Sequence, residues 1–114
     1  MEDLIFSTHW NNKLGCDYFS TIRLHNAKRF KVGNYFKIYI KEKGGLRHIA
    51  PARVVSVAHY RALDLPEHAC YLDTGYDKEC TINIIKNMYK NTQGFTIEKS
   101  VLDLVVLKKI RQWF

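Results

Sequence analysis

Apolar and polar residues alternate along three segments in the first half of the chain. These segments are residues 19–25, 35–41 and 46–60. In the second segment Phe36, Ile38 and Ile40 fall on one face, and this period of two residues is typical of a β-strand. Gly33 and Gly44 lie between the segments, where glycine allows the left-handed backbone of a tight turn. The pattern therefore predicts a β-rich first half.

The pattern changes in the second half. Residues 65–74 predict a short helix, with Pro66 suited to its first turn and Gly75 placed to end it. Asp77 is a candidate N-cap for a second helix over residues 78–89. Residues 101–110 alternate again and predict a last strand, while residues 4–6 are a short apolar segment and residues 9–17 predict a loop or short helix. The order predicts an α+β domain with a barrel-like sheet and two helices between the third and last main strands.

Positive charge is concentrated in one part of the chain. The whole sequence has a formal net charge of +7. Residues 23–61 hold ten basic residues and one acidic residue, a net charge of +9, whereas the remainder holds eight basic and ten acidic residues, a net charge of −2. A local excess of this size favours a polyanionic partner such as RNA, although a basic surface also serves solubility alone.

The composition is typical of one globular domain over residues 1–114, with 46% hydrophobic and 25% charged residues. Apolar runs are too short to span a membrane and the acidic start does not resemble a signal peptide, so we expect a cytoplasmic protein without membrane contact. Three cysteines, an odd number, predict reduced thiols. The apolar tail at residues 110–114 predicts docking either on the barrel or on a second copy, which leaves the oligomeric state open.

Four short motifs resemble the ASCH (activating signal cointegrator homology) domain of the PUA-like superfamily. They are T-I-R at residues 21–23, V-G at the turn of residues 32–33, A-x-V-x-S-V at residues 52–57 and T-G-Y at residues 74–76. The resemblance covers residues 19–107. It implies a PUA-like β-barrel with a mixed, mostly antiparallel sheet and a cleft between barrel and helices, in a superfamily whose members bind RNA or modified nucleobases.

A bacterial branch of the ASCH family hydrolyses acetylcytidine, and other members are reported as ribonucleases. In the amidohydrolase branch the catalytic residues are a lysine three positions before the threonine of T-I-R, that threonine, and a glutamate before the helix. Thr21 matches the threonine. The lysine position falls on Tyr18, or on Asp17 with a one-residue insertion, and the glutamate position falls on Thr74. The catalytic residues therefore stay unassigned, with Asp73 as a neighbouring carboxylate that can stand in for the glutamate.

Candidate nucleic-acid-binding residues form three chemical groups. Thr21 and Arg23 share one face of a strand, so their hydroxyl and guanidinium can contact the same base or phosphate. The cations expected to meet phosphates are Lys28, Arg29, Lys31 and Arg53. The aromatic residues expected to stack on bases are Trp10, Tyr18 and Tyr76. Each group has a structural alternative, namely a solvated strand face, a solvated turn and packing at the rim of the core.

Metal-binding and cofactor motifs are weak in this sequence. His68, Cys70 and Cys80, with His9 or His59 as a further ligand, match no zinc spacing. No P-loop or dinucleotide fingerprint occurs. We therefore expect neither a metal nor a cofactor.

Three functions are compatible with these features. The first is a module that binds RNA or a nucleotide-like ligand through a basic cleft. The second is a small hydrolase or ribonuclease that acts on nucleosides or RNA, with Thr21 as a catalytic or orienting residue. The third is a protein-interaction module whose basic face meets an acidic partner.

Overall fold

The computed structural model describes residues 1–111, so residues 112–114 of the apolar tail lie outside the described part. The strands are β1 (Glu2–Phe6), β2 (Tyr18–Leu24), β3 (Tyr35–Glu42), β4 (Gly45–Arg61) and β5 (Val101–Lys109). The helices are α1 (Glu67–Thr74) and α2 (Lys78–Tyr89), and two 3₁₀ segments cover Trp10–Gly15 and Ala62–Asp64. The three predicted strands of the first half, both helices and the last strand are all present.

The strands form a single five-stranded sheet in the order β1-β3-β4-β5-β2. β1 runs parallel to β3, and the other neighbours are antiparallel. The predicted α+β class, the mixed and mostly antiparallel sheet and the position of the two helices are therefore confirmed. β1 includes the short apolar segment that the sequence indicated at residues 4–6 and begins two residues earlier, at Glu2. Its Leu4 pairs with Ile38 of β3 and is fully buried.

The expected closed barrel is wrong for the part of the chain that the structure describes. β1 and β2 are the two edge strands, and they form no backbone ladder with each other. Side chains occupy the gap instead. Phe6 of β1 meets Phe19 of β2 edge to face with ring centroids 6.1 Å apart, and Arg23 of β2 donates from Nη2 to the carbonyl oxygen of Ile5 at 2.9 Å. The sheet is thus open, with side-chain contacts between its edges.

The two faces of the sheet carry separate apolar clusters. One cluster joins side chains from all five strands, including Leu4, Phe36 and Leu107. The other cluster packs the opposite face against the helices, with Leu102 on the sheet and Ile85 on α2. Because each helix covers an apolar patch on the sheet, the two helices are held near the edge strand β2.

The helix ends follow the predicted capping residues. The Asp77 side chain accepts a hydrogen bond from the backbone N–H of Cys80 at 2.9 Å, which caps α2. Gly75 ends α1 with a left-handed backbone at φ 82°. Within the described residues no helix is both long and apolar enough to cross a membrane.

Candidate functional site

A cleft lies between the edge strands and the helices, with β1, the first 3₁₀ segment, β2, α1 and α2 all contributing to its wall. Its cavity volume is about 40 Å³, room for a few water-sized groups. The polar lining residues are Ser7, Lys13, Thr21, Arg23, Asp73, Thr74 and Thr81. The apolar lining residues include Phe6, Trp10, Ile84 and Met88. The cleft therefore admits a small polar group, such as a carbonyl, and leaves the larger part of a ligand at the mouth.

A buried ion pair connects the first 3₁₀ segment to α1. Lys13 and Asp73 are each 5% exposed, and Lys13 Nζ lies 2.9 Å from Asp73 Oδ1. Asn11 and Asn12 precede the lysine with left-handed φ angles of 54° and 53°, a backbone that asparagine tolerates. This turn directs Lys13 inward although the surrounding sequence is polar.

Burial lowers the pKa of the Lys13 ammonium below its usual value, and the charge and hydrogen bond of Asp73 offset part of that effect. Asp73 also accepts a hydrogen bond from Ser20 Oγ at 2.6 Å, again at Oδ1. No described residue donates a hydrogen bond to Asp73 Oδ2. This oxygen is therefore the one available to a ligand or to a proton.

Thr21 and Arg23 meet on the same face of β2, as their spacing predicted. Arg23 Nε donates to Thr21 Oγ1 at 2.9 Å, and Thr21 is only 3% exposed. Arg23 also lies over the ring of Phe6, with its guanidinium carbon 5.0 Å from the centroid. Burial lowers the pKa of Arg23, although the guanidinium stays charged at neutral pH. Thr21 thus has a cation on its oxygen, and its hydroxyl hydrogen is free to be donated.

The mouth of the cleft brings together two of the predicted stacking residues. Trp10 lines the cleft, and Tyr76 packs edge to face against it with ring centroids 6.3 Å apart. Tyr76 is half exposed. Its backbone N–H donates to Thr74 Oγ1 at 3.1 Å, and Thr74 in turn shares a 2.9 Å hydrogen bond with Thr81. Thr74, where the resemblance implies a glutamate, therefore supports the rim.

Tyr18 and Arg53 are exposed side chains of the sheet and lie outside the cleft. They belong to a row of four exposed residues in register across β3, β4, β5 and β2, namely Tyr35, Arg53, Lys108 and Tyr18. Lys108 Nζ lies 5.6 Å from the centroid of the Tyr18 ring. We call this set the sheet-face row. It has an aromatic ring at each end and two cations between them.

The cationic turn that follows β2 has two kinds of residue. Lys28 and Lys31 are exposed, whereas Arg29 is partly buried. Arg29 forms an ion pair with Glu2 and lies over Phe30, with its guanidinium carbon 5.1 Å from the ring centroid. Arg29 therefore ties the turn to β1, and Lys28 and Lys31 are the cations in the turn that face solvent.

The zinc alternatives considered from the sequence are not brought together. Cys70 is fully buried and burial raises the pKa of its thiol, while His68 and Cys80 are exposed. Among the described residues, His25, His59 and Asp103 form a group close enough to share one metal ion.

Ser7, Lys13 and Thr81 are polar residues of the cleft that the sequence did not indicate. Lys13 lies in a short polar stretch where a solvated lysine is the usual expectation. Its partner Asp73 is 60 positions away in the chain. The one sequence signal is the pair Asn11-Asn12, which favours a left-handed turn before the lysine.

No protein-family model matches this chain, and no curated protein matches it. Its structure is similar to the crystal structure of protein EF3133 from Enterococcus faecalis V583, described with the family model DUF984. The two have 12% sequence identity and a TM-score of 0.67, over 96% of this chain and 80% of that chain. The similarity shows a common small α+β fold, and membership of the ASCH family stays a prediction.

Proposed function

We propose that this protein hydrolyses an amide or related acyl bond on a small nucleoside-like ligand held in the cleft. The observation that carries the proposal is the buried Lys13–Asp73 pair in the same cleft as Thr21. Lysine, threonine and a carboxylate are the residue types that the resemblance to the amidohydrolase branch implies. Here the lysine comes from the 3₁₀ segment and the carboxylate from α1.

The polar groups of the cleft meet the needs of acyl transfer. A hydroxyl attacks a carbonyl carbon efficiently only when a base takes its proton and a positive group stabilises the oxyanion. The Thr21 hydroxyl is the nucleophile, and the free Oδ2 of Asp73 is the base. The Arg23 hydrogen bond to Thr21 Oγ1 favours the alkoxide form, and the Lys13 ammonium is the second cation available to the oxyanion.

The proposed hydrolysis has two steps, acylation of Thr21 and hydrolysis of the acyl-threonine. Thr21 Oγ1 bonds to the carbonyl carbon and its proton passes to Asp73. The carbon–nitrogen bond then breaks, and that proton goes to the leaving nitrogen. Water next attacks the acyl-threonine, releases the acid and restores the hydroxyl. The small floor of the cleft suits a short acyl group, and Trp10 and Tyr76 at the mouth suit the flat face of a base.

Release of acid from acylated nucleosides, followed by mass spectrometry, tests this function. We expect turnover of an N-acylated nucleoside, with the rate lowered by roughly 10²–10⁴-fold in Thr21→Ala and in Asp73→Asn. Thr92→Ala, at an exposed threonine outside the cleft, is the matched control and should keep the full rate. Turnover that survives Thr21→Ala, or no turnover of any acylated nucleoside tested, would contradict the proposal.

A second candidate function, binding of single-stranded RNA, is favoured by the sheet-face row. Stacking on exposed aromatic rings beside cations is a common way to hold a flexible strand without reading its sequence. Arg53 and Lys108 also line a shallow surface with Asp17, Lys109 and Arg111. Lys109 adds a positive charge beside the row, whereas Arg111 is paired with Asp17. The row and the cleft are separate surfaces, so the two functions can be tested independently.

Titration of a uridine-rich oligonucleotide over a salt series tests the second candidate. We expect Tyr18→Ala and Lys108→Gln to weaken binding, and the lysine variant to reduce the salt slope by about 0.7 because one phosphate contact is lost. Tyr71→Ala and Lys99→Gln change an exposed tyrosine and lysine elsewhere on the surface. Equal weakening by Lys99→Gln would indicate general charge attraction, and equal weakening by either control would exclude the sheet-face row as the site.

A further inference from the structure

Two histidines converge on one oxygen of a buried carboxylate away from the cleft. His25 Nδ1 lies 2.8 Å and His59 Nδ1 lies 2.7 Å from Asp103 Oδ1. Asp103 is 0% exposed, and its other oxygen, Oδ2, accepts a hydrogen bond from the backbone N–H of Asn26 at 2.9 Å. None of these side chains lines the cleft.

The sheet determines where these ligand atoms lie. His59 of β4 and Asp103 of β5 are direct register partners, so the ladder sets the separation of their side chains. His25 follows β2, and its backbone N–H bonds to the carbonyl of Val101 at 3.0 Å. The two imidazole rings meet at 89° with centroids 5.1 Å apart, and this leaves both Nδ1 atoms directed at the same point.

We propose that His25, His59 and Asp103 bind a divalent transition-metal ion such as Zn²⁺, Co²⁺ or Ni²⁺. Two imidazole nitrogens and one carboxylate oxygen form a ligand set that suits these ions. The Asn26 N–H donates to Asp103 Oδ2, the oxygen that does not face the histidines, and so orients the carboxylate. Ligands of metal ions in proteins commonly have such a hydrogen-bond partner.

The site requires only a small adjustment to accept the ion. Ligand atoms about 2.0–2.1 Å from a tetrahedral ion are about 3.3 Å from one another. Each histidine Nδ1, now 2.8 or 2.7 Å from Asp103 Oδ1, would therefore move away from that oxygen by about 0.5 Å. The histidine side chains are 42% and 55% exposed, which permits this movement. Their exposure also leaves the remaining coordination positions open to water or to a ligand atom.

Metal titration of the full chain, first freed of metal by a chelator, tests the proposal. The probes are Zn²⁺ by calorimetry and Co²⁺ by its visible absorption. We expect one equivalent to bind, and we expect both His25→Gln and His59→Gln to weaken the affinity at least about tenfold. His68→Gln, at an exposed histidine on α1, is the matched control and should bind as the parent does.

The half-exposed histidines make these variants informative, because they can be changed without opening the core. Circular dichroism establishes that each variant is folded before its affinity is compared. Failure of the parent chain to bind one equivalent of either ion would overturn the proposal. So would binding that survives removal of either His25 or His59, because the ion would then have other ligands.

Discussion

Arg23 of β2 and the Ile5 carbonyl of β1 are joined by a 2.9 Å hydrogen bond across the gap between the two edge strands. The same guanidinium donates from Nε to Thr21. One side chain therefore connects the two edges of the sheet and also orients a hydroxyl of the cleft. The guanidinium can do both because its donors point in fixed, different directions.

Replacing Arg23 by lysine should reduce stability because an ammonium cannot make both hydrogen bonds in this geometry. We expect the free energy of unfolding in urea to fall by about 1–3 kcal/mol. Arg61→Lys, at an exposed arginine that pairs with Asp64, is the matched control and should change stability by less than about 0.5 kcal/mol. Equal effects of the two variants would show that Arg23 is not a structural link between the edges.

The Lys13–Asp73 pair should be strongly coupled. Removing the carboxylate in Asp73→Asn leaves a buried ammonium without its partner, which costs about 3–5 kcal/mol in comparable pairs. Lys13→Met leaves the carboxylate with only its Ser20 hydrogen bond. We expect the double variant to be more stable than the sum of the two losses predicts, measured as a double-mutant cycle in urea. Additive losses would contradict direct coupling between the two charges.

Local sequence patterns were sufficient to predict most of the helices and strands. Alternation at Phe36, Ile38 and Ile40 and the cap at Asp77 depend on neighbours within a few positions, so their consequences can be read from the chain. The strand character of residues 2–6 could not be read in this way. It depends on parallel pairing with β3, more than 30 positions away, and such pairing has no local signal.

The cleft was only partly predictable for a similar reason. Thr21 and Arg23 share a face through simple strand geometry, so their proximity followed from spacing. Lys13 and Asp73 meet only because the 3₁₀ segment and α1 pack together, and a lysine in a polar stretch gives no indication of burial. Barrel closure also failed as a prediction, because whether two edge strands pair depends on the side chains that reach the gap.

Acid should weaken the link between the start of β2 and the end of β5. Arg111 Nη2 donates to both carboxylate oxygens of Asp17 at 2.7 Å, and this hydrogen bond lowers the pKa of Asp17. Because the pKa in the folded state is below the unfolded value of about 3.9, the stabilisation is present above that pH. It is lost as the pH falls through the lower folded pKa.

Carboxyl NMR titration can measure this link directly. We expect Arg111→Gln to raise the pKa of Asp17 towards its ordinary value and to flatten the dependence of stability on pH in the same acidic range. Arg47→Gln breaks the exposed pair with Glu42 in the β3–β4 hairpin and should leave the Asp17 titration unchanged. An Asp17 titration that does not move in Arg111→Gln would show that the pair is not formed in solution.

The substitution Gly75→Ala tests the contact between the end of α1 and the 3₁₀ segment that carries Lys13. A Cβ at Gly75 would lie 3.3 Å from Asn11 Oδ1, and Asn11 Nδ2 donates to the carbonyl of Leu72 at 3.1 Å. Gly94 has nearly the same φ, 81° against 82°, with nothing within 4 Å of an added Cβ. Gly94→Ala therefore measures backbone strain alone, about 1–2 kcal/mol. We expect Gly75→Ala to cost more in urea unfolding, because Asn11 must shift and its hydrogen bond weakens. Equal costs would mean that Asn11 moves aside freely and does not fix the 3₁₀ segment against α1.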